Sequence, residues 1–489
     1  MWLNKLRQLS ARSLAAKAIA AVSAALVITG VVTCCRATTA PDARARITAE
    51  ICRYSLASCG RGAGHAEHEA GAALAALSDR FSYRARPTQA DPSRGYGRTL
   101  TVGKGKDFSS IARALSTARN GDIIAIAPGN YPGESMRIER DDLIVRGQDG
   151  IATIDLTHRP LLQNKAIFIT QGRNLLMENL ELKGAFSTDR NGAGIRAEGV
   201  SLHVRNCFIH DNQAGILVSN RRDSSVLVEY SEFARNGHRD GQAHQIYAGL
   251  IAELQLRYNY IHDSVVGSAI KSRAARNLIE YNYVADGAAG SANYTVDLSV
   301  GGYARLVGNV LEKGPHAHNR TFVSYAPELL AWQDNSLFLS HNTLVSDRFD
   351  STFITNHTKV ELHAINNLFI GRGAIVDGGP VQLIGNMVLA NPRYGVAQDS
   401  TLGGSPGSNH NRVVAAAEIS NRAQLDYHLL PASAAVDAAN PIPTGYPAAL
   451  TPLSQYRHPA DSVVRDQTGA QRDVGAFEWP DSTPAATNH

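Results

Sequence analysis

The sequence predicts an all-β solenoid of stacked parallel coils, and three observations predict it. Asparagine, or a substitute, recurs after short alternating strands at Asn179, Asn206, Ser231, Asn259, Asn282, Asn309, Asn342, Asn367 and Asn386, at intervals of 19 to 33 residues. Repeats of that period are supersecondary units that bury their apolar faces only against their neighbours. The stretch His244–Asp297 holds two near copies of one unit, QIYAG…LQLRYNYIHD and AIKSRA…NLIEYNYVAD. Aliphatic residues also align from unit to unit, at Ile195, Ile216, Ile246, Ile270, Val296 and Val323. The asparagines read as an internal amide ladder, each bonding its counterparts in the coils above and below.

The bulk composition fits that fold and narrows the function. At 489 residues, 44% apolar and 19% charged, the chain is an ordinary folded protein rather than a disordered one. A formal charge of +4 is small for this length and argues against a dedicated nucleic-acid binder, which would carry basic clusters or stripes. The five cysteines contain no paired CxxC, so no structural zinc site is expected. Cys52 and Cys59 could pair if the chain is exported.

In chain order, the first 17 residues carry Lys5, Arg7, Arg12 and Lys17 and no acid, and the uncharged run Ala18–Cys35 follows. That pattern is a signal peptide or a single membrane anchor within residues 1–40, and its positive flank sends everything after it outside the cytoplasm. Residues 41–97 read as a short helical region and linker. His65 and His68, within HAEHEAGAALAALSDRF, read as solvated helix surface rather than metal ligands. From residue 98 to 478 the repeat pattern holds, and residues 479–489 read as a frayed tail. A short helix with Phe108, Ile111, Ala112, Leu115 and Ala118 on one face is expected near the start of the solenoid, where it would plug the first open coil.

The segment GDIIAIAPGNY (Gly121–Tyr131) resembles the opening of secreted right-handed parallel β-helix proteins of the pectate-lyase-like superfamily. The closing stretch LDYHLLPASAAVDAANP…DQTGAQRDVGAFEW looks like the final segment of many of its exported members and is expected to cover the last coil. The resemblance spans roughly residues 100–478 and implies a single-stranded right-handed parallel β-helix. It makes an activity on polysaccharides plausible, as a lyase, uronan C5-epimerase, glycoside hydrolase or pectin esterase; fold alone does not choose among them. The chain lacks the DPH-type triplet of mannuronan epimerases and the paired Asp and Gly-His-Gly signature of polygalacturonase-like hydrolases.

Candidate site residues come from the register. If the aliphatic column points inward, period two puts Arg196, Leu217, Tyr247, Lys271, Asp297 and Ser324 outward on successive coils. Two residues on, a second column runs Glu198, Ser219, Gly249, Arg273, Ser299 and Ala326. Tyr247, Lys271, Arg273 and Asp297 would then share a patch about one sugar ring across, with coils about 4.8 Å apart. His244 enters the same strand, His238 lies on the preceding loop, and His262 could sit at the far edge.

Two cations beside a uronate carboxylate stabilise the enolate-like charge of β-elimination. Lys271 and Arg273 suit that task, Tyr247 or His244 could take and return protons, and Asp297 would orient Lys271. His262, His238 and Arg196 are further substrate contacts in this reading. No metal or other cofactor is expected; a calcium site would want several aspartates together. The expectation is therefore an exported enzyme, periplasmic or secreted, that cleaves an acidic polysaccharide by elimination, with the membrane as a partner only if the leader stays uncleaved. The alternatives are a non-catalytic carbohydrate-binding β-helix, or a hydrolase or C5-epimerase on the same fold.

Overall fold

The computed structural model describes residues 97–389, 410–414, 419–421 and 426–480, all within the unit Tyr83–His489. The expected leader at 1–40, nearly all of the 41–97 region, the Cys52–Cys59 pair and most of the 479–489 tail lie outside the described residues. Among the described residues no helix is long and apolar enough to cross a membrane.

Among the described residues, three parallel sheets form the solenoid. Sheet I holds 12 strands from Thr99–Val102 to Val381–Ile384, sheet II holds 10 from Met136–Ile138 to Gly373–Gly378, and sheet III holds 12 from Gly129–Pro132 to Arg412–Val414. Each strand pairs with strands one coil away, so the chain visits the three sheets in turn. Burial follows the alternation that pleated strands impose. Ile195, Ile216, Ile246, Ile270, Val296 and Val323 are all fully buried in one continuous core, each worth about 1.5–3 kcal/mol in transfer terms. The register on sheet II matches the outward column residue for residue: Arg196 lies against Leu217, Leu217 against Tyr247, Tyr247 against Lys271, Lys271 against Asp297 and Asp297 against Ser324.

The polar ladder is real, but it is one residue out of register in its first coils. Asn259, Asn282, Asn309, Asn342, Asn367 and Asn386 each donate both a backbone N–H and a side-chain N–H to the Oδ1 of the next asparagine, ending on Asn411. Ser231 joins by donating its backbone N–H to Asn259. Below Ser231 the equivalent position is Cys207, whose backbone N–H donates to Ser231 Oγ at 3.1 Å, and below that it is Leu180. Asn206 and Asn179 stand one residue earlier, at a left-handed bend (φ 48° and 56°) where asparagine is tolerated, and bond each other there. Spacing alone could not separate the two uses of asparagine.

Helix Ile111–Thr117 starts at Ser110, whose Oγ accepts from Arg113 N. It packs Ile111, Ala114 and Leu115 into the solenoid core, against strands Thr99–Val102, Ile123–Ile126 and Met136–Ile138. Ala114 takes the buried place expected for Ala112, which is exposed. The C-terminal segment covers the flank of sheet III as far as the late strand Met387–Leu389, and through Tyr446 and Leu450 it also packs on Val307, Phe338 and Ile365 of sheet I. Tyr427, Leu429, Tyr456 and Phe477 pack on Tyr260, Tyr283, Val310, Leu368 and Met387, and Arg465 is buried with its guanidinium on Glu478 and the carbonyls of Asp473 and Gly475. Sheet II is left as the face that carries the outward polar column.

Candidate functional site

The middle of sheet II brings five of the expected residues together. Lys271, on strand Ile270–Ser272, reaches Asp297 Oδ2 at 3.4 Å. Arg273 follows that strand; its backbone N–H bonds Ala248 O, so the second column stays in stacking register. Its Nη1 donates to the Tyr247 hydroxyl at 2.6 Å, and its guanidinium carbon lies 5.6 Å from that ring's centroid. His244 stacks on Tyr247 with ring centroids 5.8 Å apart. A cleft of about 260 Å³ opens over these groups, walled by Asp189, Arg190, Asn191, Leu217, Gln242, His244, Tyr247, Lys271 and Arg273, a size near the lower end for small-ligand clefts.

The electrostatics sort these side chains by what they can do. His244 Nδ1 accepts the Ser268 backbone N–H at 2.9 Å, which leaves the ring proton on Nε2. Burial, then Lys271 and Arg273, push its pKa down to about 3. It is therefore a neutral hydrogen-bond donor, badly placed to be a general base. Asp297 is only 3% exposed at its side chain. Burial raises its pKa, the Glu328 charge adds to that, and Lys271 opposes it. Its Oδ1 is buried with no hydrogen-bond partner among the described residues.

A residue that sequence reasoning missed completes the group. Glu328 bonds Arg273 Nη2 at 2.7 and 2.8 Å, Arg273 Nε at 3.1 Å and Lys271 Nζ at 3.1 Å. Burial works against its ionisation, but the Arg273 and Lys271 bonds outweigh that and hold its pKa below the usual carboxylate range. Glu328 sits on the loop of residues 326–335 between strands Thr321–Tyr325 and Ser336–Ser340. The sequence did carry a signal: the interval from Asn309 to Asn342, 33 residues, is the longest in the ladder, and the excess forms this loop.

The remaining expected residues fall elsewhere. His238 is at the rim, 3.1 Å from Asp240, which also faces Arg190 of the cleft wall at 3.6 Å. Arg196 lies two coils away on the same column and faces Glu198 at 3.6 Å. His262 is not at the site. It is on sheet III, buried, 3.2 Å from Glu232 and 2.8 Å from Asp263, and stacked on Tyr260 at 4.0 Å. The sequence motif IHD placed it at a strand end without saying which sheet that strand joins.

A larger, shallow hollow of about 450 Å³ lies farther along sheet II, among Thr355, His357, Lys359 and Asp377. Its floor continues the same column, Ser324 to Thr355 to Asp377. No group there matches the Arg273 contact on the Tyr247 hydroxyl with Lys271 on the neighbouring coil position, so the 260 Å³ cleft is the candidate site. Among the described residues no three His, Cys, Asp or Glu side chains are grouped to hold a metal ion.

Comparison with known proteins agrees with the architecture. Residues 144–386 match the family described as right handed beta helix region. The chain is a right-handed β-helix protein. No curated protein matches it in sequence. Among solved structures, this β-helix is similar to pectate lyase Pel9A, with a TM-score of 0.53 and 13% identity over 79% of this chain and 97% of that one. It is also similar to an alginate lyase from Paenibacillus sp. str. FPU-7 (TM-score 0.40, 15% identity, 58% of this chain and 99% of that one). A pectin methylesterase from Aspergillus niger gives a TM-score of 0.31 at 12% identity, over 68% of this chain and 93% of that one. The likeness to the pectate lyase is a likeness of fold.

Proposed function

We propose that this β-helix is a carbohydrate-active enzyme that cleaves a uronate-containing polysaccharide by β-elimination. The observation that carries the reading is the contact of Arg273 Nη1 with the Tyr247 hydroxyl beside the Lys271 ammonium. It puts a proton-transfer group next to two cations on one open face. The uronate carboxylate would rest on Lys271 and Arg273, which stabilise the charge that spreads onto it as the C5 proton leaves. As the phenolate facing the Arg273 guanidinium, Tyr247 would take that proton and become the phenol; the electron pair forms the C4–C5 double bond, the bond from C4 to O4 breaks, and O4 leaves with the proton returned by the phenol, which restores the phenolate. Charge that develops on the phenol oxygen would meet the Arg273 guanidinium directly. His244, neutral with Nε2–H available, would donate a hydrogen bond to the sugar. The polymer would run along the sheet II column, with the Thr355–Asp377 hollow in line. The pectate lyase of similar fold is named for an acidic polysaccharide, which is compatible with this substrate class. A polymeric substrate also suits the expectation of an exported chain.

One observation favours a second reading. Asp297 and Glu328 both lie within 3.4 Å of the Lys271 ammonium, their pKa values are displaced in opposite directions, and such a carboxylate pair is the machinery of a glycoside hydrolase. Incubation with a panel of uronate polymers separates the two. Elimination produces an unsaturated uronate that absorbs in the ultraviolet, and Lys271→Ala should lower that rate about 100- to 1,000-fold. New reducing ends without the absorbance would reject elimination in favour of hydrolysis.

A further inference from the structure

We infer that the Glu328 carboxylate occupies the seat of the ligand's own carboxylate and swings out when a free uronate binds. The inference rests on the proposal that Lys271 and Arg273 receive a uronate. The seat is a planar fork: Arg273 offers Nε and Nη2 to both oxygens of Glu328, and Lys271 Nζ closes on Oε1. That arrangement is how arginine recognises any carboxylate. With Glu328 in place the fork is spent, because Nη1 is already on Tyr247 and Lys271 divides itself between Asp297 and Glu328. A second carboxylate on the same fork would bring three anions to two cations, so a uronate can take the fork only by replacing Glu328.

The surroundings allow that replacement without remodelling the fold. The loop backbone is fixed, with Glu328 N on Ser299 O at 3.0 Å, Ala331 N on Val300 O at 3.0 Å and Trp332 Nε1 on Arg273 O at 3.2 Å. The Glu328 side chain is 36% exposed, against 3% for Asp297. Of the two carboxylates on Lys271, Glu328 is the one free to rotate into water, while Asp297 stays to hold the ammonium. The consequence is specificity. A neutral sugar or a methyl-esterified uronate brings no charge to exchange for Glu328, so the seat admits free acids and leaves esters and neutral glycans outside.

The test is calorimetric binding of short galacturonate and mannuronate oligosaccharides, with their methyl esters as controls, to wild type, Glu328→Gln, Glu328→Ala and Glu328→Asp. Each variant's thermal midpoint is checked first; Glu328→Gln keeps the shape and guards against a folding artefact. The expected result is binding of a free uronate about tenfold tighter in Glu328→Gln and Glu328→Ala than in wild type, with ester binding unchanged. Glu328→Asp, one methylene too short to fill the fork, should resemble Glu328→Ala. Equal or weaker uronate binding in all three folded variants would overturn the inference, as would no detectable binding to any form. Tighter binding without any unsaturated product would leave the seat standing and sink the elimination reading alone. Loss of turnover in Glu328→Gln without tighter binding would overturn the seat and assign Glu328 to the chemistry.

Discussion

Replacing Asn309 with alanine tests how far the solenoid depends on its amide ladder. Asn309 is fully buried. Its Oδ1 accepts the backbone N–H and the side-chain N–H of Asn282, both at 3.0 Å, and its Nδ2 donates to Ile279 O at 2.8 Å and Asn342 Oδ1 at 2.9 Å. Alanine removes all four bonds. Asn342 Oδ1 keeps the Asn309 backbone N–H, but the Asn282 backbone N–H is left without its acceptor in a dry core. At about 1–3 kcal/mol for each buried polar group left unpaired, the substitution should cost about 3–5 kcal/mol. The assay is urea unfolding, read as a fall in midpoint at constant slope. Asn309→Ser should lose less, because Ser231 already serves in the same ladder with its hydroxyl accepting from Cys207 N. A loss below about 1 kcal/mol in Asn309→Ala would refute the argument that the ladder is a stabilising element.

Further outcomes follow from the site and its flank. Tyr247→Phe should lower turnover about 100- to 10,000-fold in the absorbance assay while uronate binding persists, because only the hydroxyl is lost. Arg273→Lys should weaken both uronate affinity and turnover, since an ammonium cannot span a carboxylate and reach Tyr247 together; kcat and KM measured side by side would show it. His262 should make stability fall with alkali. Burial opposes its charge, but Asp263 and Glu232 win and lift its pKa from 6.5 to about 10. A raised folded-state value means the contribution is whole below about pH 6.5 and is lost as pH rises toward about 10. Urea midpoints between those pH values should fall in wild type and stay level in His262→Gln.

Much of the fold could be read from the residues, because a β-coil repeats its physics. The inward position must be aliphatic in every turn, so Ile246, Ile270 and Val296 fixed the register and with it the outward neighbours Tyr247, Lys271 and Asp297. What period alone cannot carry was missed. Glu328 reaches back from a loop 55 residues after Arg273, and nothing in a strand pattern says where a loop folds. His262 repeats a motif seen at His210, yet repetition gives a strand end and not its sheet. Asn179 and Asn206 share a residue type with the ladder but serve a left-handed bend, a backbone property that composition does not display.

The central claim is elimination at a uronate held by Lys271 and Arg273, and the mass of the products tests it most directly. A defined oligouronate digested by the protein and weighed by mass spectrometry should yield two fragments whose masses sum to that of the substrate. The fragment from the reducing side of the cleaved bond, which carries the unsaturated uronate at its new non-reducing end, should be one water lighter than the saturated oligomer of the same length, and the reaction should disappear in Lys271→Ala. Fragments that together exceed the substrate by one water would contradict the account and transfer the chemistry to Asp297 and Glu328.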